Sequence, residues 1–165
     1  MNEGPKKPAK QEHRFSFHSA NAMLPLVRSI AKDVHQLLKT IEETKERLSA
    51  INITKPASSR TPSFSDPNAT PYSREVQSII ASVDTKQVRL EDCVKELEDL
   101  NLVAPEVDRP FVDFRAIYDG KDVCLCWKIG EDKILHWHLP NEPCSDRRPV
   151  DLSLVPAKNE LSGSL

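Results

Sequence analysis

At 165 residues with 13 prolines, and with a mean hydropathy of −0.49, the chain has room for one domain and for polar segments outside its core. The formal net charge of −2 is distributed so that residues 1–14 sum to +2 and residues 72–102 to −3, which excludes the basic footprint of a nucleic-acid binder. No run approaches the ~18 apolar residues of a membrane span and the first residues lack a signal peptide's apolar run, so a cytoplasmic protein without a membrane partner is expected.

In chain order, residues 1–14 mix Pro, Lys, Glu and Gln without apolar periodicity and are expected to be a disordered tail. A single domain is expected over residues 15–150. Ser16 suits a helix N-cap, with Phe15 packing across it as a hydrophobic staple. Pro25 is unwelcome inside a helix, so a short helix from Phe17 to Met23 and a kink or fresh start near Leu24 are expected. Val27, Ile30, Val34, Leu37, Ile41, Leu48 and Ile51 then form one heptad seam, and Val76, Ile79, Val83, Leu90, Cys93, Leu97 and Leu100 a second. Residues 52–71 between them, rich in Pro, Ser and Thr, are expected to be a disordered linker that lets the helices fold back as an antiparallel, coiled-coil-like hairpin. Asn101 and Pro105 mark the exit from the second helix.

Three alternating segments follow: Phe111 to Tyr118, Lys121 to Ile129 and Lys133 to Leu139. Asp119-Gly120 is a two-residue hairpin signal that pairs Tyr118 with Lys121, and so Phe114 with Leu125, Val112 with Trp127 and Asp113 with Cys126. A three-residue turn at Gly130, Glu131 and Asp132 pairs Trp127 with Leu135 and Leu125 with Trp137. One face of this three-stranded antiparallel meander then holds Val112, Phe114, Ala116, Val123, Leu125, Trp127, Leu135, Trp137 and Leu139, ready to pack on the helix pair. The other face collects Asp113, Arg115, Cys124, Cys126, His136 and His138. Residues 151–165 are expected to be a second disordered tail. The fold class is α+β.

Four cysteines, Cys93, Cys124, Cys126 and Cys144, are too few and too unevenly placed for a disulfide framework, and are expected as thiols. Cys93 falls on a seam as core, whereas Cys144 in a loop is expected to be the thiol most open to oxidation. His18 and His35 are expected at the surface or as caps. Cys124, Cys126, His136 and His138, with Asp113 behind them, are residue types that zinc prefers. Against that set, C-x-C and H-x-H on flat strands lack the bent spacing of structural zinc loops, so cysteine as apolar filler is the simpler reading and no cofactor is expected. Cys126, His138 and Asp113 also supply nucleophile, base and acid types. No nucleophile-elbow turn precedes a cysteine, and the glycines, scattered at 4, 120, 130 and 163, build no phosphate cradle, so the enzyme question leans to no and no residue is assigned as catalytic. Arg115, Arg147 and Arg148 suit small anions, but are more simply read as solvated or paired.

The segments "FSFHSANAMLPLVR", "FVDF", "LCWKIGE", "WH" and "RRPV", in this order and spacing, resemble the bacterial domain of unknown function 2203 family over most of residues 15–150. The resemblance implies no activity. It places Ala20, Asn21, Leu24 and Pro25 at the helical start, Asp113, Cys126, Trp127, Gly130, Glu131, Trp137 and His138 in the sheet, and Arg147 with Pro149 at the end, leaving Cys124 and His136 outside the motif. His18 stands where the family has an acidic residue, "PCSDR" replaces a glycine-containing loop, and the Pro/Ser linker looks longer than usual. The expected site is therefore a polar cluster of Asp113, Cys126, Glu131, His138 and Arg147, structural or ligand-binding, with Cys126 and His138 the candidates for any metal. The expected function is a non-enzymatic binding or interaction module, self-associating through its helices or meeting a protein partner, with a metal- or thiol-dependent site on the meander's polar face as the rival.

Overall fold

The computed structural model describes residues 13–53 and 71–158, and the 52–71 linker expectation therefore lies almost wholly outside the described residues. The first helix, α1 (Phe17–Ile53), opens on a reciprocal cap: Ser16 Oγ accepts the Ser19 N–H at 3.0 Å and Ser19 Oγ accepts the Ser16 N–H at 2.8 Å. Phe15 does more than staple. Its N–H donates to Arg115 O at 2.8 Å and its carbonyl accepts from Ile117 N at 3.1 Å, a parallel bridge to Ala116, and its ring meets Phe114 edge-on at 5.4 Å.

The helix does not stop before Pro25, which corrects the short helix expected from Phe17 to Met23. Proline costs about 3 kcal/mol in a helix interior, by removing one N–H and crowding one carbonyl, here that of Asn21. Ala20, Leu24 and Val27 flank it and are all buried, and their packing outweighs that local cost. The second helix, α2 (Pro71–Asp99), carries its proline at the first position, where the missing N–H would be unpaired anyway. It ends as Asn101 takes a left-handed φ of 59°, the exit expected from the sequence. The two helices pack together through Val27, Ala31, Val34 and Ile41 of α1 and Leu90 and Leu97 of α2.

Among the described residues, five antiparallel strands, in spatial order, complete the α+β fold: β1 (Leu102–Val103), β2 (Phe111–Tyr118), β3 (Lys121–Lys128), β4 (His136–His138) and β5 (Arg148–Pro149). The three-stranded expectation is corrected by the two-residue strands at either edge, which are too short to carry an alternation. The core order is as expected. Asp119 and Gly120 have φ of 49° and 68°, as a type I′ turn requires, and Phe114↔Leu125, Val112↔Trp127 and Asp113↔Cys126 pair. Leu125↔Trp137 also pairs, placing His138 opposite Cys124 and His136 opposite Cys126.

One core seat changes hands. β4 is shorter than the expected Lys133 to Leu139, Leu135 is 43% exposed, and Ile134 is fully buried in its place. Asn21 is the cause: its Oδ1 accepts the Ile134 N–H at 2.9 Å and its Nδ2 donates to the Ile134 carbonyl at 3.3 Å, drawing that backbone against α1. Past β5, Tyr118 Oη accepts from Asp151 N at 2.8 Å and donates to Asp151 O at 3.2 Å, while His18 Nε2 donates to Pro156 O at 2.8 Å. Asp151 and Pro156 are thus tied to the domain, inside the stretch expected as a disordered tail, and residues 159–165 of that expectation lie outside the described residues. At the other end Arg14 already pairs with Asp122 at 2.7 Å. No helix among the described residues is long and apolar enough to cross a membrane.

Candidate functional site: a buried Asp-Cys-His-Cys group

The pleat of β2 sends Val112, Phe114 and Ala116 to the helices and Asp113 to the opposite face. Register then sets Cys126 of β3 across from Asp113, and β4 brings His138 alongside. The turn Cys144–Asp146 folds back over this face and adds Cys144. All four are buried: Asp113 is 4% exposed, Cys126 0%, His138 3% and Cys144 7%. One ligand-type atom from each lies within 4.8 Å of all the others. Cys144, expected as the thiol most open to oxidation, is therefore corrected to a buried member of the group.

Within the group, His138 Nε2 lies 3.3 Å from Asp113 Oδ1, and Cys144 Sγ lies 3.6 Å from both Nε2 and Oδ1. The other ring nitrogen, Nδ1, faces the Leu139 carbonyl at 2.8 Å. Arg109 Nη2 donates to Asp113 Oδ2, and Nη1 reaches the carbonyls of Ala104 at 3.4 Å and Phe111 at 3.5 Å. Burial works against the Arg109 charge, but Asp113, with Cys144 and Cys126 beside it, outweighs burial and raises the guanidinium above its ordinary value. Burial first, then Asp113 and Cys144, push the Cys126 thiol far up, and burial with Asp113 pushes Cys124 up to about 11. With no metal bound, both shifts favour the thiol over the thiolate that a nucleophile needs. The order of contacts is also wrong for a triad, because Asp113 and Cys144 meet the same imidazole nitrogen, so the acid does not orient the base from behind.

Glu131 and Arg147, expected in the cluster, form a bidentate pair at its edge, with Arg147 also hydrogen-bonding the Cys126 side chain. Arg147 Nη1 and Nη2 donate to Glu131 Oε2 and Oε1 at 3.0 and 2.7 Å, and the guanidinium lies 5.2 Å from the Phe111 ring centre. Glu131 Oε2 also accepts the Lys128 N–H at 3.0 Å. Burial pushes the Glu131 carboxyl up, yet the hydrogen bonds from Arg147 and Lys128 more than offset it and the net shift is down from 4.5. A depressed acid stabilises the fold above its unfolded value and loses that contribution as pH falls through its lower folded value. Glu131→Gln is expected to cost about 1 to 2 kcal/mol at pH 7, with the gap to wild type closing as pH drops below 4.5. Urea unfolding at pH 7 and in acid checks this, and an equal gap at both would refute it. Arg148 is engaged too, by Glu142 at 2.6 Å and over the Trp137 ring, so neither it nor Arg147 is a ready anion site.

Of the expected residues, Asp113, Cys126 and His138 converge, and Cys124 and His136 stay outside the group: Cys124 is buried beside it and His136 faces Glu131. Sequence reasoning missed Arg109 and Cys144. Arg109 precedes β2 in a loop where no periodicity speaks. Cys144 joins through a loop whose path is set by tertiary contacts, and the only signal was its presence in the "PCSDR" segment. A cavity of about 270 Å³, lined by Arg109, Asp113, Cys124, His138 and Cys144 among others, opens onto the group.

A family model described as "Uncharacterized conserved protein (DUF2203)" matches residues 13–150. No curated protein and no solved structure matches the chain. The matched span takes in both helices, all five strands and the four residues of the buried group, and it carries no activity with it: the chain belongs to the domain of unknown function 2203 family.

Proposed function

We propose that this is a small cytoplasmic, non-enzymatic interaction module whose two helices form a coiled-coil-like hairpin and associate with a second copy of the chain. The observation that carries the reading is where burial stops. In α1 after Ile41, and in α2 before Leu90, no described side chain is buried. Leu48, Ile51, Val76, Ile79 and Val83 are only half-covered, and Ile80 and Val88 are 41% and 60% exposed. A two-helix unit beyond its sheet is marginal, and a second pair completing a four-helix layer is the usual remedy. Charge favours a second copy as that partner. Residues 42–51 and 72–89 together carry five acidic and five basic side chains, so two such faces meet without net repulsion. The contact order around His138, with Asp113 and Cys144 at the same ring nitrogen, supports the non-enzymatic half of the reading.

Light scattering from low to high micromolar protein is expected to show mass rising from 18.6 kDa towards twice that value. Ile80→Lys with Val88→Lys is expected to return the chain to monomer while leaving its far-ultraviolet spectrum intact. A strict monomer at high micromolar concentration, or a dimer indifferent to the double substitution, overturns the proposal.

A further inference from the structure

The buried group gathers four ligand-type atoms of the kinds zinc prefers around one point. A carbonyl only accepts, so the 2.8 Å contact to Leu139 O places the imidazole proton on His138 Nδ1. The neutral ring then turns a bare Nε2 towards Asp113 Oδ1 at 3.3 Å, acceptor against acceptor. Cys144 Sγ lies 3.6 Å from each, and the Cys126 side chain hydrogen-bonds with Asp113 and Cys144, so two thiols fill the space between the acceptors.

We infer that Asp113 Oδ1, Cys126 Sγ, His138 Nε2 and Cys144 Sγ are a closed four-ligand site for zinc. With bonds near 2.0 to 2.1 Å to nitrogen and oxygen and 2.3 Å to sulfur, a zinc tetrahedron has edges of roughly 3.3 to 3.8 Å. The three edges among Asp113, His138 and Cys144 measure 3.3, 3.6 and 3.6 Å, and Cys126 Sγ closes the figure within 4.8 Å. The charges close as well. One dication and Arg109 balance two thiolates and one carboxylate, Arg147 beside Cys126 is matched by Glu131, and each ion bound expels the two thiol protons to solvent.

The supporting contacts are those such a site uses. The Leu139 carbonyl holds the imidazole tautomer from behind, and Arg109 holds Asp113 through Oδ2, leaving Oδ1 to the ion. Two sulfur donors select zinc over magnesium or calcium, which take oxygen. The cavity of about 270 Å³ beside the group supplies the way in. With four protein ligands the site is structural, tying β2, β3, β4 and the Cys144 turn together. Three ligands fall within the family motif, while Cys144 sits in the segment where this chain departs from it.

The test uses the full chain without a histidine tag, expressed with zinc. Elemental analysis is expected to find one zinc per chain, and cobalt in its place is expected to give the intense visible bands and thiolate charge-transfer absorption of a tetrahedral sulfur site. Cys144→Ala is expected to lower zinc affinity at least 100-fold in competition with a chromophoric chelator, whereas Cys124→Ala, next to the group but outside it, retains stoichiometric zinc. Chelation of the wild type is expected to lower Tm. A folded wild-type chain that takes up under one tenth of an equivalent of zinc overturns the inference, as does cobalt without charge-transfer absorption or zinc that follows Cys124 instead of Cys144. The wild-type arms do not depend on any variant folding, and none of them depends on self-association.

Discussion

Trp127→Ala is expected to lower the unfolding free energy by about 4 kcal/mol, the cost of removing a large aromatic from a closed interior. Trp127 is the largest fully buried side chain among the described residues, paired with Val112 on the face that meets the helices. The loss has two parts. A cavity opens between sheet and helices, and the Glu131 carbonyl, which accepts Trp127 Nε1–H at 2.9 Å, loses its donor. A domain of this class has about 5 to 15 kcal/mol in hand, so the variant should melt roughly 10 to 15 °C lower. Thermal and urea unfolding followed by circular dichroism measure both quantities, and a loss below about 1 kcal/mol would show that the sheet repacks without its indole.

The second large effect comes from the Arg109–Asp113 pair. Arg109→Met in chelator-treated protein is expected to cost about 3 kcal/mol, because it leaves the carboxylate of Asp113 buried without its cation. The low end of the buried-pair range applies, since the Arg109 side chain keeps 26% exposure. Arg109→Met combined with Asp113→Leu is expected to recover most of that loss, replacing a charge pair with apolar contact. Recovery separates charge compensation from simple packing of the arginine stem: if the double variant is as unstable as the sum of the singles, the guanidinium acts through packing.

How far the fold could be read beforehand follows from the range of each cause. The β2–β3 and β3–β4 registers were legible because a two-residue turn and a strict alternation are local, and one paired residue fixes the rest by the period of two. The same arithmetic brought Asp113 to Cys126. What escaped was set by contacts distant in sequence. Pro25 stays in a helix because buried neighbours on either side hold it there, and Ile134 displaces Leu135 because a side chain from α1 binds its backbone. β1 and β5 exist only as additions to a sheet already formed. Within the candidate site, Asp113, Cys126 and His138 were legible from alternation and from the family pattern together. Cys144 was not, since no pattern reports the path of a loop that folds back over a sheet face.

Phe15 bears on the order of events during synthesis. Its strand-like bridge closes the outer edge of β2 at Arg115 and Ile117, alongside the stretch that β1 covers at Asp113 and Phe114. That partner is translated roughly a hundred residues later, which at ribosomal speeds of about 5 to 20 residues per second is a wait of about 5 to 20 s. For that interval α1 has no sheet to rest on, and once β2 emerges its edge stays open to pairing with other chains until Phe15 returns. The nascent chain is therefore most dependent on chaperones late in translation, when a growing sheet edge and the segment that seals it have yet to meet.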